Sequence, residues 1–417
     1  MPELNQLIAR AKTDFDLTKT DDQESLTSLT ERLLSLPESN SDAFLTAARK
    51  PDAPLEFRLA VMLLRSRQNI LRIKKPLHVA VVFAMWGEQN RLLPKSDSNP
   101  NGEDCLRVKL AQLTWATNGS PINWVVYAVD DGCPYGSGKI AQDIIRADRL
   151  GEKVKVHFLE QALPADTGPL KALKSADDSR KAGAVILGCQ QAISDGMDAV
   201  VYTDADSSVH LGQIGLLLEP LVAEGYRVVL GNRKHADAVL VKQEGRWGIG
   251  IKVLRHMQRM VGQSIFSRNI LDTQAAFKLY ESNLLQKIIS NPTVFDFSFD
   301  TDWILAAIRM DVPLITVPFA FIDSFAESAS ITQGPMTTWE SLLKGLVQAV
   351  RQRGVPHSEA MARVLDEEIQ SSADLDAIIH HLPPELAAAK PESLGDPAVM
   401  SPEDLQAWIQ DRKAAAG

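Results

Sequence analysis

The chain has 417 residues, of which 45% are hydrophobic and 23% charged, with a net charge of -9 at pH 7. That length can bury a large core and leaves room for more than one domain. The acidic balance argues against a broad nucleic-acid surface. Cys105, Cys133 and Cys189 are odd in number and far apart, which fits a reducing cytosol and gives no metal-site spacing. No stretch reaches the roughly 18–20 apolar residues that cross a bilayer, and Met1-Pro2-Glu3-Leu4-Asn5 lacks the basic flank and apolar run of a secretory signal. The expectation is a cytoplasmic protein.

Residues 1–75 read as helices, with helical apolar spacing at 27–34 and 55–65 and breakers at Pro37, Pro51 and Pro54. They carry no recognisable chemistry, so packing, a second copy of the chain or a partner is their expected role. Residues 76–335 alternate strand and helix patterns. Strands are predicted at 77–84, 124–129, 154–159, 199–203 and 227–230, with helices near 104–116, 139–150 and 179–194. This rhythm predicts an α/β fold, a mostly parallel central sheet with helices on both faces. Residues 336–417 return to helix, most clearly at 339–350 and 358–381. A last helix opens at Ser401-Pro402, with serine as N-cap and proline at its first position.

The densest chemistry lies at Ala199-Val200-Val201-Tyr202-Thr203-Asp204-Ala205-Asp206. A buried-strand pattern ends there in two carboxylates one residue apart. Ligands of open α/β sheets bind at the carboxyl ends of the strands. Two aspartates at that edge can hold a hard divalent cation, and the cation can hold a diphosphate. Asp130-Asp131-Gly132 ends another strand, so both acidic pairs are expected at one sheet edge. Their repulsion calls for a cation or for donors on a ligand. A carboxylate can also accept the N–H of a nucleobase, a job open to Asp130 or Asp131.

Taken in order over about 77 to 325, these residues resemble the family 2 glycosyltransferases, which carry glycosyltransferase fold A. The chain is most similar to the polyprenyl-phosphate and dolichyl-phosphate branch. After the first strand, Glu88 matches the family loop, whose proline and asparagine are absent here. Val129-Asp130-Asp131-Gly132 resembles the segment that contacts the base, and Arg180-Lys181-Ala182-Gly183 the helix start near the nucleotide. Thr203-Asp204-Ala205-Asp206 resembles the metal-binding motif, and Gly231-Asn232-Arg233 a strand end. Asp272-Thr273-Gln274-Ala275-Ala276-Phe277-Lys278 is similar to a segment of that branch, and Phe299-Asp300-Thr301-Asp302 stands at the position of the catalytic base.

The resemblance implies a transferase that moves a sugar from a nucleoside diphosphate sugar, with UDP or GDP the favoured carriers, to a soluble alcohol or a polyprenyl phosphate. It implies inversion at the anomeric carbon and Mg²⁺ or Mn²⁺ on Asp204 and Asp206. Donor contacts would come from Glu88, Asp130, Asp131, Lys181, Asp204, Arg233, Asp272 and Gln274, and the base would be Asp300, with Asp302 second. A cation at the start of a helix opposes the helix dipole, and an anionic ligand would relieve that conflict at Lys181. Asp300 has a competing structural role as a helix N-cap. The basic segment 232–260, with Lys234, Lys242, Arg246, Lys252, Arg255 and Arg259 around Gly245 and Gly250, reads as a lid over diphosphate or as a helix at 251–262 touching the inner face of the membrane. His235 or His256 is a candidate further metal ligand, and Asp323, Glu327 and Ser328 are candidate acceptor contacts. Three rival readings stand beside this one: a retaining enzyme making a glycosylated glycerate, a sugar nucleotidyltransferase, and a non-catalytic nucleotide-binding scaffold. The nucleotidyltransferase should open with a glycine-rich loop, and residues 85–91 contain one glycine.

Overall fold

The computed structural model describes residues 2–37, 41–179, 181–242, 248–323 and 335–416. Four helices come first: α1 (Pro2–Arg10), α2 (Thr20–Ser35), α3 (Ser41–Ala48) and α4 (Leu55–Arg72). The alternating part follows as β1 (Leu77–Met85), α5 (Cys105–Thr117), β2 (Ile122–Asp130), α6 (Ser137–Asp148), β3 (Val154–Phe158), α7 (Ala182–Ser194), β4 (Ala199–Thr203), α8 (Ile214–Glu219) and β5 (Val228–Asn232). Next come β6 (Val239–Val241), α9 (Ile251–Val261), α10 (Gln263–Phe266), β7 (Phe277–Glu281), α11 (Ser282–Ile289), α12 (Phe299–Arg309), β8 (Leu314–Pro318) and β9 (Ala320–Ile322). The chain closes with α13 (Pro335–Arg353), α14 (Glu359–Glu368), α15 (Ser372–Ile379), α16 (Pro384–Ala388) and α17 (Pro402–Ala416).

The main sheet has the order β3-β2-β1-β4-β7-β5-β8, and β6 pairs with β9 beside it. All neighbours in the main sheet are parallel except β7, which runs antiparallel between β4 and β5. The chain moves outward from β1 through β2 to β3, then returns to place β4 on the other side of β1. The strand order therefore reverses between β1 and β4. A crevice opens outside the carboxyl ends of strands at such a point.

The strands alternate between two cores, as a period of two requires. Val79, Val81, Phe83, Val126, Ala199 and Val201 face a core shared with α1–α5. Ala80, Val82, Tyr127, Val129, Val200 and Tyr202 face the other, shared with α7, α9 and the helices after residue 335. The two helical ends thus cover opposite faces of the sheet. The apolar side of α9, with Val253, Leu254, Met257 and Met260, lies in that second core. It is covered by the protein itself, which corrects the reading of 251–262 as a membrane-contacting helix. Among the described residues no helix is long and apolar enough to cross a membrane.

Candidate active site

A cavity of about 590 Å³ lies over the carboxyl ends of β1, β2, β4 and β5. It is lined by the acidic Glu88, Asp131, Asp204 and Asp206 and by the basic Lys181, Arg233, Lys234, Lys242 and Arg255. Asp272, Gln274 and Asp300 also line it, and α13 closes one wall with Thr338, Trp339 and Leu342. Of the residues expected to contact the donor, hold the metal or act as base, all but Asp130 and Asp302 are cavity-lining.

The metal motif sits where β4 ends. Lys181 pairs with Oδ1 of Asp204, and Asp206 Oδ1 accepts the Ser208 N–H at 3.0 Å. Each aspartate keeps its other oxygen without a protein partner among the described residues. Burial opposes the charge on both, yet Lys181 holds Asp204 below the usual carboxylate range. Asp206 is pushed up by burial and by Asp204 beside it. The pair is thus short of positive charge. Among the described residues no group of three or more His, Cys, Asp or Glu is arranged to hold a metal. Two carboxylates completed by phosphate oxygens and water are nevertheless the ligand set that Mg²⁺ takes, so these residues fit such an ion. Neither histidine joins them. His256 is buried with both ring nitrogens engaged, to Met400 O at 2.9 Å and Gly395 N at 2.8 Å. His235 accepts the Asp237 N–H in a local turn.

The Asp-Asp-Gly pair divides its labour. Asp130 accepts the Cys133 and Gly138 N–H groups at 2.8 and 2.6 Å. A Cβ at Gly138 would stand 2.7 Å from Asp130 Oδ2, so only glycine lets the first turn of α6 approach. Asp130 is therefore an anchor for α6 and, although expected as a donor contact, does not line the cavity. Asp131 faces the cavity. Its Oδ2 accepts the Lys181 N–H at 2.8 Å, while Oδ1 is buried without a partner. Burial raises its pKa to about 6, against the hydrogen bonds from Ser179 and Lys181. Lys181 holds φ at 84° as the residue before α7, a conformation uncommon for lysine and typical of functional positions. Glu88, from the loop after β1, is raised to about 7 by burial despite its ion pair with Arg91.

The antiparallel course of β7 explains why residues before it reach the site. Its amino end lies at the carboxyl edge of its neighbours, with Phe277 opposite Thr203. Asp272 there forms a two-pronged pair with Arg233, at 2.9 and 2.8 Å, and also accepts the Arg233 N–H. Burial raises the Asp272 pKa, but the Arg233 contacts win and bring it to about 2. Gln274 donates to Thr301 at 3.1 Å. Lys278 is fully buried and pairs with Asp300 Oδ1 at 2.6 Å. Burial moves both groups toward their neutral forms, raising Asp300 and lowering Lys278, and their contact opposes this. Asp300 Oδ2 has no partner among the described residues.

Asp300 is not the N-cap, a position held by Ser298. Asp302 does not line the cavity. It is fully buried, bound by Arg353 at 2.7 and 2.8 Å and by Thr293 at 2.7 and 3.1 Å. Of the two candidate bases, only Asp300 lines the cavity. Asp323 is not a lining residue. Arg180, Gly245, Arg246, Glu327 and Ser328 lie outside the described residues.

Sequence reasoning missed Lys278, Arg91, Glu103 and Lys109, all at most 6% exposed. The available signal was a charge inside an apolar run, as for Lys278 between Phe277 and Leu279 or Lys109 beside Leu110. Such charges are buried only with partners.

Residues 103–289 match the family model described as Glycosyl transferase family 2. The undecaprenyl-phosphate mannosyltransferase of Micrococcus luteus is 24% identical over 199 residues, 48% of this chain and 72% of that protein. Two solved structures are similar at low identity. One is glucosyl-3-phosphoglycerate synthase from Mycobacterium tuberculosis with Mn²⁺, UDP-glucose and phosphoglyceric acid, at TM-score 0.43 and 14% identity, covering 71% of this chain and 85% of that one. The other is mannosyl-3-phosphoglycerate synthase from Rubrobacter xylanophilus, at TM-score 0.43 and 12% identity, covering 70% and 78%. Over residues 103–289, within the mostly parallel sheet that carries the cavity at its strand ends, the chain matches a family 2 glycosyltransferase domain, and it is a glycosyltransferase.

Proposed function

We propose that the protein transfers a sugar, with inversion and with help from a divalent cation, from a UDP- or GDP-sugar to a hydroxyl or phosphate acceptor in the cytoplasm. The observation that carries this reading is the gathering of Glu88, Asp131, Asp204, Asp206 and Asp300 around one cavity at the point where the strand order reverses.

Asp131 Oδ1, buried and unpaired, suits an N–H donor of the nucleobase. Mg²⁺ or Mn²⁺ between Asp204, Asp206 and the donor phosphates would neutralise charge developing on the departing diphosphate. Lys181 and Arg233 add two more cations to the cavity lining, and both are assigned to phosphate in this reading.

For an alcohol acceptor, Asp300 takes the hydroxyl proton at Oδ2 while the acceptor oxygen bonds the anomeric carbon and the nucleoside diphosphate leaves. The raised pKa of Asp300 makes it a stronger base than an exposed aspartate. A phosphate acceptor arrives already ionised and needs no base. The mannosyltransferase relative named for undecaprenyl phosphate keeps that acceptor in view.

The test is turnover of UDP- and GDP-sugars against hydroxyl and lipid-phosphate acceptors, with the released nucleotide identified. Release of a nucleoside diphosphate with metal present supports the reading. Asp300→Asn should lower turnover of an alcohol acceptor about 10²–10⁴-fold while nucleotide binding persists. Release of pyrophosphate would mark a nucleotidyltransferase instead. Retained anomeric configuration in the product would overturn the inverting step and with it the role of Asp300.

A further inference from the structure

Behind the two aspartates lie three buried charges that the transfer step does not use. Arg91, Glu103 and Lys109 are 6%, 4% and 1% exposed. Lys109, on α5, donates through Nζ to the backbone carbonyl of Asp206 at 2.6 Å. Glu103, two residues before α5, accepts the N–H of Ser207 at Oε2, 2.8 Å away. The carbonyl of Asp206 and the N–H of Ser207 belong to one peptide bond. Both ends of a single peptide plane are therefore held, by opposite charges that issue from the same helix and its entry.

A peptide unit is planar and stiff, so gripping its oxygen and its nitrogen fixes its orientation. That sets ψ of Asp206 and φ of Ser207, and so the direction in which the Asp206 side chain leaves the backbone. The grip extends further. Glu103 Oε1 lies 3.2 Å from Arg91 Nε, and Arg91 pairs with Glu88 Oε2 at 3.0 Å. A line of alternating charge thus joins Glu88, on the cavity wall after β1, to the loop after β4. Backbone satisfaction alone does not call for this. A neutral donor and acceptor would meet the same two backbone groups, and buried ion pairs are poor sources of stability beside apolar packing.

We infer that Arg91, Glu103 and Lys109 are positioning residues for cation binding: they lock the Asp206–Ser207 peptide so that the Asp206 carboxylate is presented to the metal in register with Glu88. This rests on the reading of Asp204 and Asp206 as the metal holders. Outer partners of this kind change metal affinity or activity by about 10–100-fold when removed. Arg91 and Lys109 also offset the repulsion between Asp206 and its acidic neighbours.

The test uses the full chain and titrates Mn²⁺ in the presence of UDP or GDP, following binding by calorimetry and the melting temperature without ligand. Glu103→Leu, which removes the acceptor for the Ser207 N–H, and Lys109→Met should each raise the Mn²⁺ concentration for half-saturation about tenfold or more. At saturating Mn²⁺ nucleotide binding should return to within about twofold of wild type, because the peptide grip acts through the metal. A merely structural role would lower the melting temperature and leave the Mn²⁺ midpoint in place, and that result overturns the inference. If Lys109→Met does not fold, Arg91→Lys keeps the charge while removing the guanidinium link, and it should still shift the Mn²⁺ midpoint. An unchanged midpoint there overturns the inference as well. A wild-type chain whose nucleotide binding ignores Mn²⁺ overturns the metal reading itself, an outcome distinct from unresponsive variants beside a responsive wild type.

Discussion

Asp131 and Asp300 show how burial sets up reactivity one side chain at a time. Asp131 is 7% exposed, with one oxygen unpaired and a pKa near 6. A carboxylate raised in this way binds more protons folded than unfolded. Its favourable contribution is present below the unfolded pKa and is lost as pH rises through about 6. Asp131→Asn should therefore stabilise the ligand-free protein at pH 8 by about 1–3 kcal/mol, while weakening nucleotide binding. A variant that is less stable at pH 8, measured by denaturant melts across pH, would contradict the assignment. At Asp300 the buried ammonium of Lys278 supports ionisation. Lys278→Met should move the acidic limb of the pH–rate profile upward for an alcohol acceptor, and Lys278→Arg should restore part of the shift. The other charged groups facing Asp300 include Lys181, Asp204 and Arg233, and all three remain in these variants. An unmoved limb in Lys278→Met would remove Lys278 from that role.

At the scale of elements, β7 and α12 decide which residues meet. The periodicity of strands 77–84, 124–129 and 199–203 was legible because each is a continuous apolar run, and the structure has them as β1, β2 and β4 within a few residues. The antiparallel insertion of β7 was not, because strand direction leaves no mark on apolar spacing. Nor does spacing separate Asp300 from Asp302. Both lie in the first turn of α12, but one meets Lys278 on β7 and the cavity, the other Arg353 on α13. Those partners are separated from them by 22 and 51 residues. The same holds for Asp130 and Asp131, adjacent in sequence and pointed at a helix start and at the cavity. Consequently Asp302→Ala, which strips Arg353 and Thr293 of their shared partner, should destabilise the fold by about 3–5 kcal/mol. Asp300→Asn also takes the counter-charge from Lys278 but keeps an oxygen acceptor for it, so stability should fall less than in Asp302→Ala while turnover falls more. Chemical denaturation of both variants separates the two effects, and equal destabilisation with equal loss of turnover would contradict the distinction.

For the whole molecule, composition and rhythm foretold an α/β sheet between helical ends, and the family match over 103–289 agrees with the motifs read along it. What the ends do was not legible, because amphipathic helices do not declare their partner. In the structure α1–α4 share a core with one sheet face, and the helices after residue 335 share the other. The latter also bring Trp339 and Leu342 to the cavity wall. Acceptor choice is accordingly expected to depend on this wall, so Trp339→Ala should raise the acceptor KM more than the donor KM. Equal changes in both would place Trp339 outside the acceptor side.

The most direct measurement is the thermal shift of the full chain with UDP, GDP, ADP, CDP and dTDP, each with and without Mn²⁺ or Mg²⁺, beside Asp206→Ala. A ligand at a hundred times its Kd adds about 2.7 kcal/mol to the native state. The account predicts stabilisation by UDP or GDP that requires the metal and disappears in Asp206→Ala. Stabilisation that is indifferent to metal, or that survives in Asp206→Ala, would contradict it.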